Sequence, residues 1–187
     1  MSRVVVIGGG AAGMFAAMGA AEAGHAVTLL EQNEKLGKKI YITGKGRCNL
    51  TNACDTQDLF GNIPRNPKFL YSAIYGYDNF RVIDFFETHG MKTKTERGNR
   101  VFPVSDHSSD VIATLQRRLQ QLGVKICLHT KVEEILTEDR KDGIQGEKDQ
   151  RIVSGVGTDQ GIYKADAVIV AAGDFGGNPD MRLDLCD

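Results

Sequence analysis

The feature that most constrains this chain is a glycine-rich turn between an apolar strand and an alanine-rich helix. Arg3–Ile7 is short, β-branched and almost wholly apolar, which predicts a buried strand. Residues 8–13 read Gly-Gly-Gly-Ala-Ala-Gly, and a helical pattern runs over residues 11–23. Ala26–Leu30 then predicts a second buried strand. This part of the chain therefore predicts a strand–helix–strand unit whose turn has the spacing G-x-G-x-x-G.

Each position of this turn has a physical role in binding a dinucleotide. Gly8 permits a tight turn out of the strand, and Gly10 lets the main chain approach a pyrophosphate with no Cβ in the way. Gly13 lets the helix pack closely on the sheet. The N–H groups of the first helical turn, at Ala11 and Ala12, present partial positive charge to the phosphates. The alternative is a glycine-rich turn that binds nothing.

The end of the second strand discriminates among dinucleotides. Glu31 would accept hydrogen bonds from both hydroxyls of a ribose and would repel a 2′-phosphate. FAD or NAD is therefore favoured over NADP. Gln32, the next residue, is also included in the predicted cofactor site. A fingerprint at the start of the chain is typical of flavoproteins. The apolar strand predicted over residues 167–172, before Gly173, is similar to a flavoprotein strand that ends in Ala-Thr-Gly, with Ala172 in place of Thr.

Four apolar segments predict an α/β fold with a Rossmann-like parallel sheet. They are Arg3–Ile7, Ala26–Leu30, and residues 124–129 and 167–172. Right-handed crossovers place them in the order third, second, first, fourth. The topological switch point, where ligands bind in such sheets, then lies between the first and fourth strands. Gly8 and Gly173 are expected to meet there.

Two further regions are expected within a single FAD-binding domain over residues 1–187. Residues 55–105 predict an insertion of two short helices and a hairpin, and residues 131–164 predict a small antiparallel β meander. A helix predicted over residues 109–122 follows a segment, 105–108, that supplies N-capping side chains. Residues 32–52 predict a long Gly- and Lys-rich loop.

Composition excludes several classes of function. The net charge of −1 gives no pull toward nucleic acid or an anionic membrane, and no apolar run approaches a membrane span. The four cysteines show no Cys-x-x-Cys pair, and no His lies at zinc spacing, so no metal site is predicted. Unpaired thiols and an N-terminus without a secretion-signal pattern predict a cytoplasmic chain.

A cationic loop follows Glu31. It contains five basic residues and no acid between Glu34 and Asp55; the basic residues are Lys35, Lys38, Lys39, Lys45 and Arg47. Its electrostatics favour contact with an anion, either the cofactor pyrophosphate or a substrate. On charge alone, a solvated surface loop is an equal alternative.

The amino-acid sequence of this loop resembles a signature of a bacterial flavoprotein family. The segments are Lys-Leu-Gly-Lys-Lys at 35–39 and Thr-Gly-Lys-Gly-Arg-Cys-Asn-Leu-Thr-Asn at 43–52, with Asn-Arg-Val-Phe-Pro-Val-Ser at 99–105. The family is that of the NAD(P)/FAD-dependent oxidoreductases, which includes aminoacetone-oxidase-type and bile-acid-dehydroxylation-type proteins. The resemblance runs over about residues 3–172.

The resemblance implies an FAD-binding fold. By analogy the glycine turn holds the pyrophosphate, Glu31 holds the ribose, residues 44–49 lie along the flavin, and the backbone of Val132 contacts the adenine. Arg47 and the loop amides would stabilise negative charge on reduced flavin. The predicted cofactor-binding residues are Gly8, Gly10, Ala11, Ala12, Gly13, Glu31, Gln32, Lys39, Gly44, Gly46, Arg47, Cys48, Asn49, Val132, Ala172 and Gly173. No catalytic acid or base is predicted.

The end of the chain departs from that family. Residues 173–179 read Gly-Asp-Phe-Gly-Gly-Asn-Pro, which is similar to the fumarate-reductase and ketosteroid-dehydrogenase flavoproteins. Both groups have a substrate domain and a returning C-terminal segment, so the chain is expected to be an incomplete part of a flavin-dependent oxidoreductase. That enzyme would transfer hydride through FAD to or from a small molecule, with NAD(P)H as a candidate donor. The alternatives are a non-catalytic nucleotide-binding fragment and an NAD-binding dehydrogenase half.

Overall fold

A computed structural model describes residues 1–139 and 151–173 of the chain. Its strands are β1 Arg3–Ile7, β2 Ala26–Leu30, β3 Thr51–Asn52, β4 Thr93–Glu96, β5 Arg100–Pro103, β6 Lys125–Cys127, β7 Val132–Asp139, β8 Arg151–Thr158, β9 Gly161–Lys164 and β10 Ala167–Val170. Its α-helices are α1 Ala11–Glu22, α2 Lys38–Ile42, α3 Thr56–Gly61, α4 Tyr71–Gly76, α5 Asn79–Thr88 and α6 Ser108–Gln121. Two 3₁₀ segments, Thr43–Gly46 and Pro67–Leu70, complete the described elements.

The chain divides into two compact units, and the first contains the glycine turn. This unit comprises Met1–Lys38 and Gln116–Asp187, and the second comprises Lys39–Leu115. The first unit has a parallel four-stranded sheet in the order β10-β1-β2-β6. The predicted Rossmann-like α/β fold and its strand order are therefore confirmed.

Apolar packing on both faces explains why the strands of this sheet are nearly continuous hydrophobic runs. On one face, Val5, Ile7 and Leu30 pack in one buried cluster with Val132 and Val156 of the antiparallel strands. On the other face lies α1, whose buried residues are Gly13, Met14, Ala17 and Met18. The alternation of side chains along a strand assigns successive residues of β1 to these two layers.

The antiparallel meander is confirmed within the predicted range. β7 pairs with β8, and β8 pairs with β9, in a three-stranded sheet. The register between β7 and β8 shifts near Val132 and again near Leu136. The polar turn predicted at residues 140–143 and the sequence resemblance at residues 174–179 lie outside the described residues.

The second unit shows more order than the sequence predicts. The expected hairpin is present as β4 and β5, and β3 adds a third antiparallel strand. Residues 32–52, predicted as a loop, therefore contain α2, a 3₁₀ segment and β3. For β3 the physical reason lies in a distant partner, because the buried amide of Asn79 donates to the carbonyl oxygens of Asn52, at 2.7 Å, and Cys54, at 2.8 Å.

The described residues also bear on membrane insertion and on the state of the cysteines. In residues 1–139 and 151–173 no helix combines the length and apolarity that crossing a bilayer requires. Cys48, Cys54 and Cys127 in these ranges are free thiols. Cys186 lies outside them.

The first and last strands of the parallel sheet are joined at one end by an ion pair. The Arg3 guanidinium and its backbone N–H both donate to Asp166, at 2.6 Å to Oδ1 and 2.7 Å to Oδ2. These hydrogen bonds lower the pKa of the Asp166 carboxyl to about 2. Because an unfolded Asp has a pKa of about 3.9, the pair stabilises the fold above about pH 4, and that contribution is lost as the pH falls toward 2.

We expect Asp166→Asn to lower the urea midpoint of unfolding slightly at pH 7. The difference from wild type should shrink as the pH falls below about 4, because the wild-type carboxyl is then progressively protonated. Urea titrations at several pH values measure this difference. In an Arg3→Gln background the same substitution should have a smaller effect, and an undiminished effect there would contradict the pairing.

Candidate dinucleotide-binding site

The first glycine of the turn lies against the exit of β10. Gly8 has φ +103°, and a Cβ there would meet the carbonyl oxygen of Ala171 at 2.6 Å and Cα of Ala172 at 2.9 Å. Hydrogen bonds from Gly8 N–H to Leu30 O and from Ala171 N–H to Ile7 O, both 2.8 Å, hold the neighbouring strand ends together. The predicted meeting of the first and fourth strand exits is therefore present. Gly8 meets Ala171 and Ala172 there, and a contact between Gly8 and Gly173, which has φ +82°, stays a prediction.

The last glycine of the fingerprint is required by packing. A Cβ on Gly13 would lie 1.8 Å from the carbonyl oxygen of Gly8, which no side chain can occupy. Helix α1 can therefore begin directly over the turn only with glycine at this position. The close approach fixes where the first turn of the helix, with Ala11 and Ala12, begins.

Gly10 differs from its neighbours because nothing in the described residues requires it to be glycine. Its φ of −76° and ψ of −176° are ordinary extended values. A Cβ there would meet no atom within 4 Å. Gly10 is the N-cap of α1, and Ala11 and Ala12 in its first turn are exposed. Open space therefore faces the helix end where main-chain N–H groups lack intrahelical partners.

The second glycine of the turn, Gly9, was not singled out from the sequence, although two side chains pack where its Cβ would lie. A Cβ on Gly9 would meet Cδ2 of Leu36 at 2.3 Å and Oε2 of Glu31 at 2.9 Å. The N–H of Gly37 donates to the carbonyl oxygen of Gly9 at 2.8 Å. The segment after β2 thus folds back onto the turn. The fingerprint counts this position as variable, so only the tertiary structure reveals this packing.

The Glu31 carboxylate lies beside the glycine turn and is 8% exposed. Oε2 accepts a hydrogen bond from the N–H of Gly9 at 2.7 Å. Oε1 accepts from the backbone N–H of Asn33 at 2.8 Å and from its side-chain Nδ2 at 2.6 Å. Asn33 was also missed from the sequence, although a short amide two residues after an acid is able to make this local bond.

Other predicted residues of this unit have different surroundings. Gln32 is exposed, next to Glu31. The backbone of Glu31 is tied to the segment before β7, because its carbonyl oxygen accepts from Thr130 N–H at 3.0 Å. Val132 begins β7, and its side chain is buried in the apolar core. Its backbone contact with an adenine stays a prediction.

The predicted flavin loop, residues 44–49, belongs to the second unit and contains left-handed backbone. Gly44, Lys45, Gly46 and Cys48 have φ of +57°, +58°, +85° and +59°. A Cβ on Gly44 would lie 2.9 Å from the backbone nitrogen of Asn49. With its amide nitrogen facing them, Asn49 donates to Thr51 O at 2.9 Å and Val101 O at 3.1 Å. The loop therefore closes tightly on itself and is joined to β5.

Arg47 lies between two carboxylates. Its Nη2 donates to Glu96 Oε1 and to Asp106 Oδ1, both at 2.5 Å, and its Nε donates to Asp106 Oδ1 at 2.8 Å. The guanidinium lies 4.2 Å from the centroid of the Phe102 ring. Lys94 Nζ contacts the other Asp106 oxygen at 2.6 Å. The charge expected to contact a cofactor anion therefore already has two anionic partners within this unit.

The shared charges change the acidity of this cluster and explain one departure from the sequence analysis. Hydrogen bonds from Lys94 and Arg47 lower the pKa of the Asp106 carboxyl, and the bond from Arg47 lowers that of Glu96. Their carboxylates raise the pKa of Arg47. Asp106 was expected to help cap α6; instead, its carboxylate accepts from Arg47 and Lys94, and its φ is +60°.

Cys48 and Lys39 complete the predicted set. Cys48 is buried, and burial raises the pKa of its thiol, which disfavours the reactive thiolate at neutral pH. Its contact with a cofactor stays a prediction. Lys39 is exposed in α2.

In the first unit, the residues fit a dinucleotide. Main-chain N–H groups at the start of α1 suit the negative charge of a pyrophosphate, and the position of Gly10 leaves room for it. A carboxylate beside the turn is the group that accepts hydrogen bonds from ribose hydroxyls. The arrangement can therefore bind and orient a nucleotide cofactor. A general acid or base is not evident among the described residues.

Comparison with known proteins gives a family match and several relatives. Residues 2–178 match the family described as HI0933-like protein Rossmann domain. The chain is 40% identical over 136 residues to the 3-dehydro-bile acid delta(4,6)-reductase of Clostridium scindens, covering 71% of this chain and 32% of that protein. It is 29% identical over 172 residues to the ribosomal RNA dihydrouridine synthase of Haemophilus influenzae, covering 92% of this chain and 40% of that protein.

The fold comparison agrees with the sequence match. The 3-ketosteroid delta1-dehydrogenase of Sterolibacterium denitrificans superimposes with a TM-score of 0.65 at 15% identity, over 97% of this chain and 49% of that one. At this identity the likeness concerns the fold alone. The chain spans 40% or less of the length of these two curated relatives, so their whole activities extend over residues that this chain does not include.

We expect Gly13→Ala to lower the free energy of unfolding by about 1–3 kcal/mol, because the added methyl clashes with the Gly8 carbonyl oxygen. The matched control is Gly19→Ala in the same helix, where a Cβ meets nothing within 4 Å. That substitution should stabilise the protein by roughly 0.5–1 kcal/mol through helix propensity. Chemical denaturation followed by circular dichroism measures both, and equal effects would contradict the close approach.

We expect Arg47→Lys to loosen residues 43–49, because a lysine can neither bridge two carboxylates with a planar fork nor stack on Phe102 in the same way. Hydrogen–deuterium exchange of peptides that cover these residues should become faster. The matched control is Arg100→Lys, since Arg100 is exposed and lies 5.8 Å from the same ring centroid. Unchanged exchange in Arg47→Lys would show that the ion pairs do not hold the loop.

Proposed function

Because the chain belongs to the HI0933-like family through its Rossmann domain, as the sequence predicts, we propose that it is the FAD-binding part of a flavin-dependent oxidoreductase. The family and the fold are established by the match over residues 2–178. The cofactor is FAD. The oxidoreductase activity, its substrate and its electron donor belong to the whole protein.

The single observation that carries this proposal is the space at Gly10. Gly8, Gly9 and Gly13 each have a packing reason to be glycine, since an added Cβ would meet other atoms of the chain at 2.6 Å or less. Gly10 has ordinary φ and ψ and no neighbour. A ligand that approaches the main chain there supplies the missing reason, and a pyrophosphate suits the N–H groups of the following helical turn.

The chain's own residues bind and orient the cofactor. The N–H groups of Ala11, Ala12 and Gly13 would face the diphosphate, and the Glu31 carboxylate would accept from the ribose. Bound FAD supplies the hydride-transfer chemistry. A 2′-phosphate would meet the buried negative charge of Glu31, which supports FAD over an NADP-type ligand at this turn.

The loop over residues 44–49 is proposed to act on the flavin through its main chain. Arg47 is engaged with Glu96 and Asp106, so its role in this proposal is to hold the loop in its left-handed conformation. The interactions of Lys39, Gly44, Gly46, Cys48 and Asn49 with the cofactor stay predictions.

The substrate is proposed to be a small molecule, as the bile acid in the name of the C. scindens reductase would suggest. The name of the H. influenzae relative points instead to ribosomal RNA, and the net charge of −1 supports the small molecule for this chain. NAD(P)H as donor and a cytoplasmic location also belong to the proposal; the location is supported by the free thiols of the described residues.

We expect the wild-type chain to bind FAD, and Gly10→Ala to weaken that binding by at least about tenfold with only a small change in stability, because the methyl group would fill space beside the pyrophosphate. Quenching of flavin fluorescence on titration measures the affinity, and thermal unfolding without ligand measures the stability. Gly19→Ala, in the same helix, is the control that should leave FAD affinity unchanged.

Three outcomes would contradict the proposal in different ways. A wild-type chain that binds NADH and not FAD would support the NAD-binding half instead. A chain that binds neither would support a fragment without nucleotide binding. Full FAD affinity in Gly10→Ala would show that the pyrophosphate does not approach this position.

A further inference from the structure

The Glu31 carboxylate is held unequally at its two oxygens. Oε1 accepts two hydrogen bonds, from the backbone N–H and the side-chain Nδ2 of Asn33. Oε2 accepts one, from the N–H of Gly9. An ionised carboxylate has about four lone-pair sites, two on each oxygen. The two bonds from Asn33 therefore fill Oε1, and one acceptor site remains on Oε2.

Asn33 is itself fixed on the side away from Glu31. Its Oδ1 accepts from Lys38 Nζ at 3.1 Å, and Lys38 also pairs with Glu34 at 3.2 Å. Its backbone carbonyl oxygen accepts from His129 N–H at 3.1 Å. The amide group therefore has its oxygen toward Lys38 and its nitrogen toward Glu31.

We propose that Asn33 is a positioning residue that occupies Oε1 of Glu31. The carboxylate then accepts a hydrogen bond from one hydroxyl of the adenosine ribose of FAD, through Oε2. This proposal rests on the proposed function. It differs from the sequence expectation, in which Glu31 accepts from both ribose hydroxyls. One hydroxyl donates to a buried anionic oxygen, and the other finds its partners elsewhere.

Burial makes the difference between the two hydroxyls large. The carboxylate is 8% exposed, so water has little access to replace a lost donor. A hydrogen bond to a charged group contributes more than one between neutral groups. Removal of the hydroxyl that faces Oε2 should therefore weaken binding far more than removal of its neighbour.

The test compares FAD with two analogues that lack either the 2′-hydroxyl or the 3′-hydroxyl of the adenosine ribose. With the wild-type chain, we expect one analogue to bind at least about tenfold more weakly than FAD, and the other to bind within about threefold of it. Fluorescence titration measures all three affinities. This measurement needs no variant, so it does not depend on any substituted protein folding.

Asn33→Ala then tests the positioning role directly. Without the side-chain donor, Oε1 regains an acceptor site, and the second hydroxyl can reach it. The two analogues should therefore bind with affinities within about threefold of each other. Lys38→Met is the matched control, because it removes a partner of Asn33 and leaves the Nδ2 donor in place, and it should retain most of the wild-type selectivity.

The outcomes separate this inference from the proposed function. Equal loss of affinity for both analogues with the wild-type chain would overturn the inference while FAD binding stands. Asn33→Ala that weakens FAD and both analogues by one common factor would also overturn it, since that is the result of a purely structural role. No FAD binding by the wild-type chain would overturn the proposed function and this inference together.

Discussion

The closest constraint in the first unit is the approach of the Gly13 Cα to the Gly8 carbonyl oxygen. Because a Cβ at residue 13 would lie 1.8 Å from that oxygen, helix α1 can start directly above the strand exit only with glycine there. The same approach aims the first-turn N–H groups at the switch point between β1 and β10. Both the position and the polarity of the proposed phosphate site follow from it.

The second element of the site is a buried carboxylate that the chain supports on two sides. Gly9 N–H and Asn33 both donate to Glu31, and Gly9 can approach closely because it carries no side chain. A buried charge is tolerated when hydrogen bonds offset its loss of water, and three donors do so here. The glycines of the turn therefore serve two partners: Gly10 faces open space proposed for the ligand, and Gly9 faces Glu31.

The second unit shows how a charge pattern can mislead. Five basic residues in sequence favour contact with an anion, yet Arg47 binds Glu96 and Asp106, which are 49 and 59 residues away along the chain. Nothing in the local composition indicates those partners. Their effect is to attach a strained, left-handed loop to the β hairpin that carries Glu96. A cationic residue in a loop can thus be structural even where its neighbours are proposed to contact a cofactor.

By itself, the sequence determined the parallel sheet, its strand order, the meander and the glycine turn. Each of these depends on a pattern that repeats within a few residues or on the handedness of a crossover. Only the tertiary structure decided the packing around Gly9 and the hydrogen bonds from Asn33 to Glu31. It also decided the ion pairs of Arg47 with two carboxylates and the position of β3, which Asn79 holds by a hydrogen bond. Most of these interactions join residues far apart in sequence, and even the local Asn33–Glu31 bond is selected by the surrounding fold, so no short-range pattern specifies them.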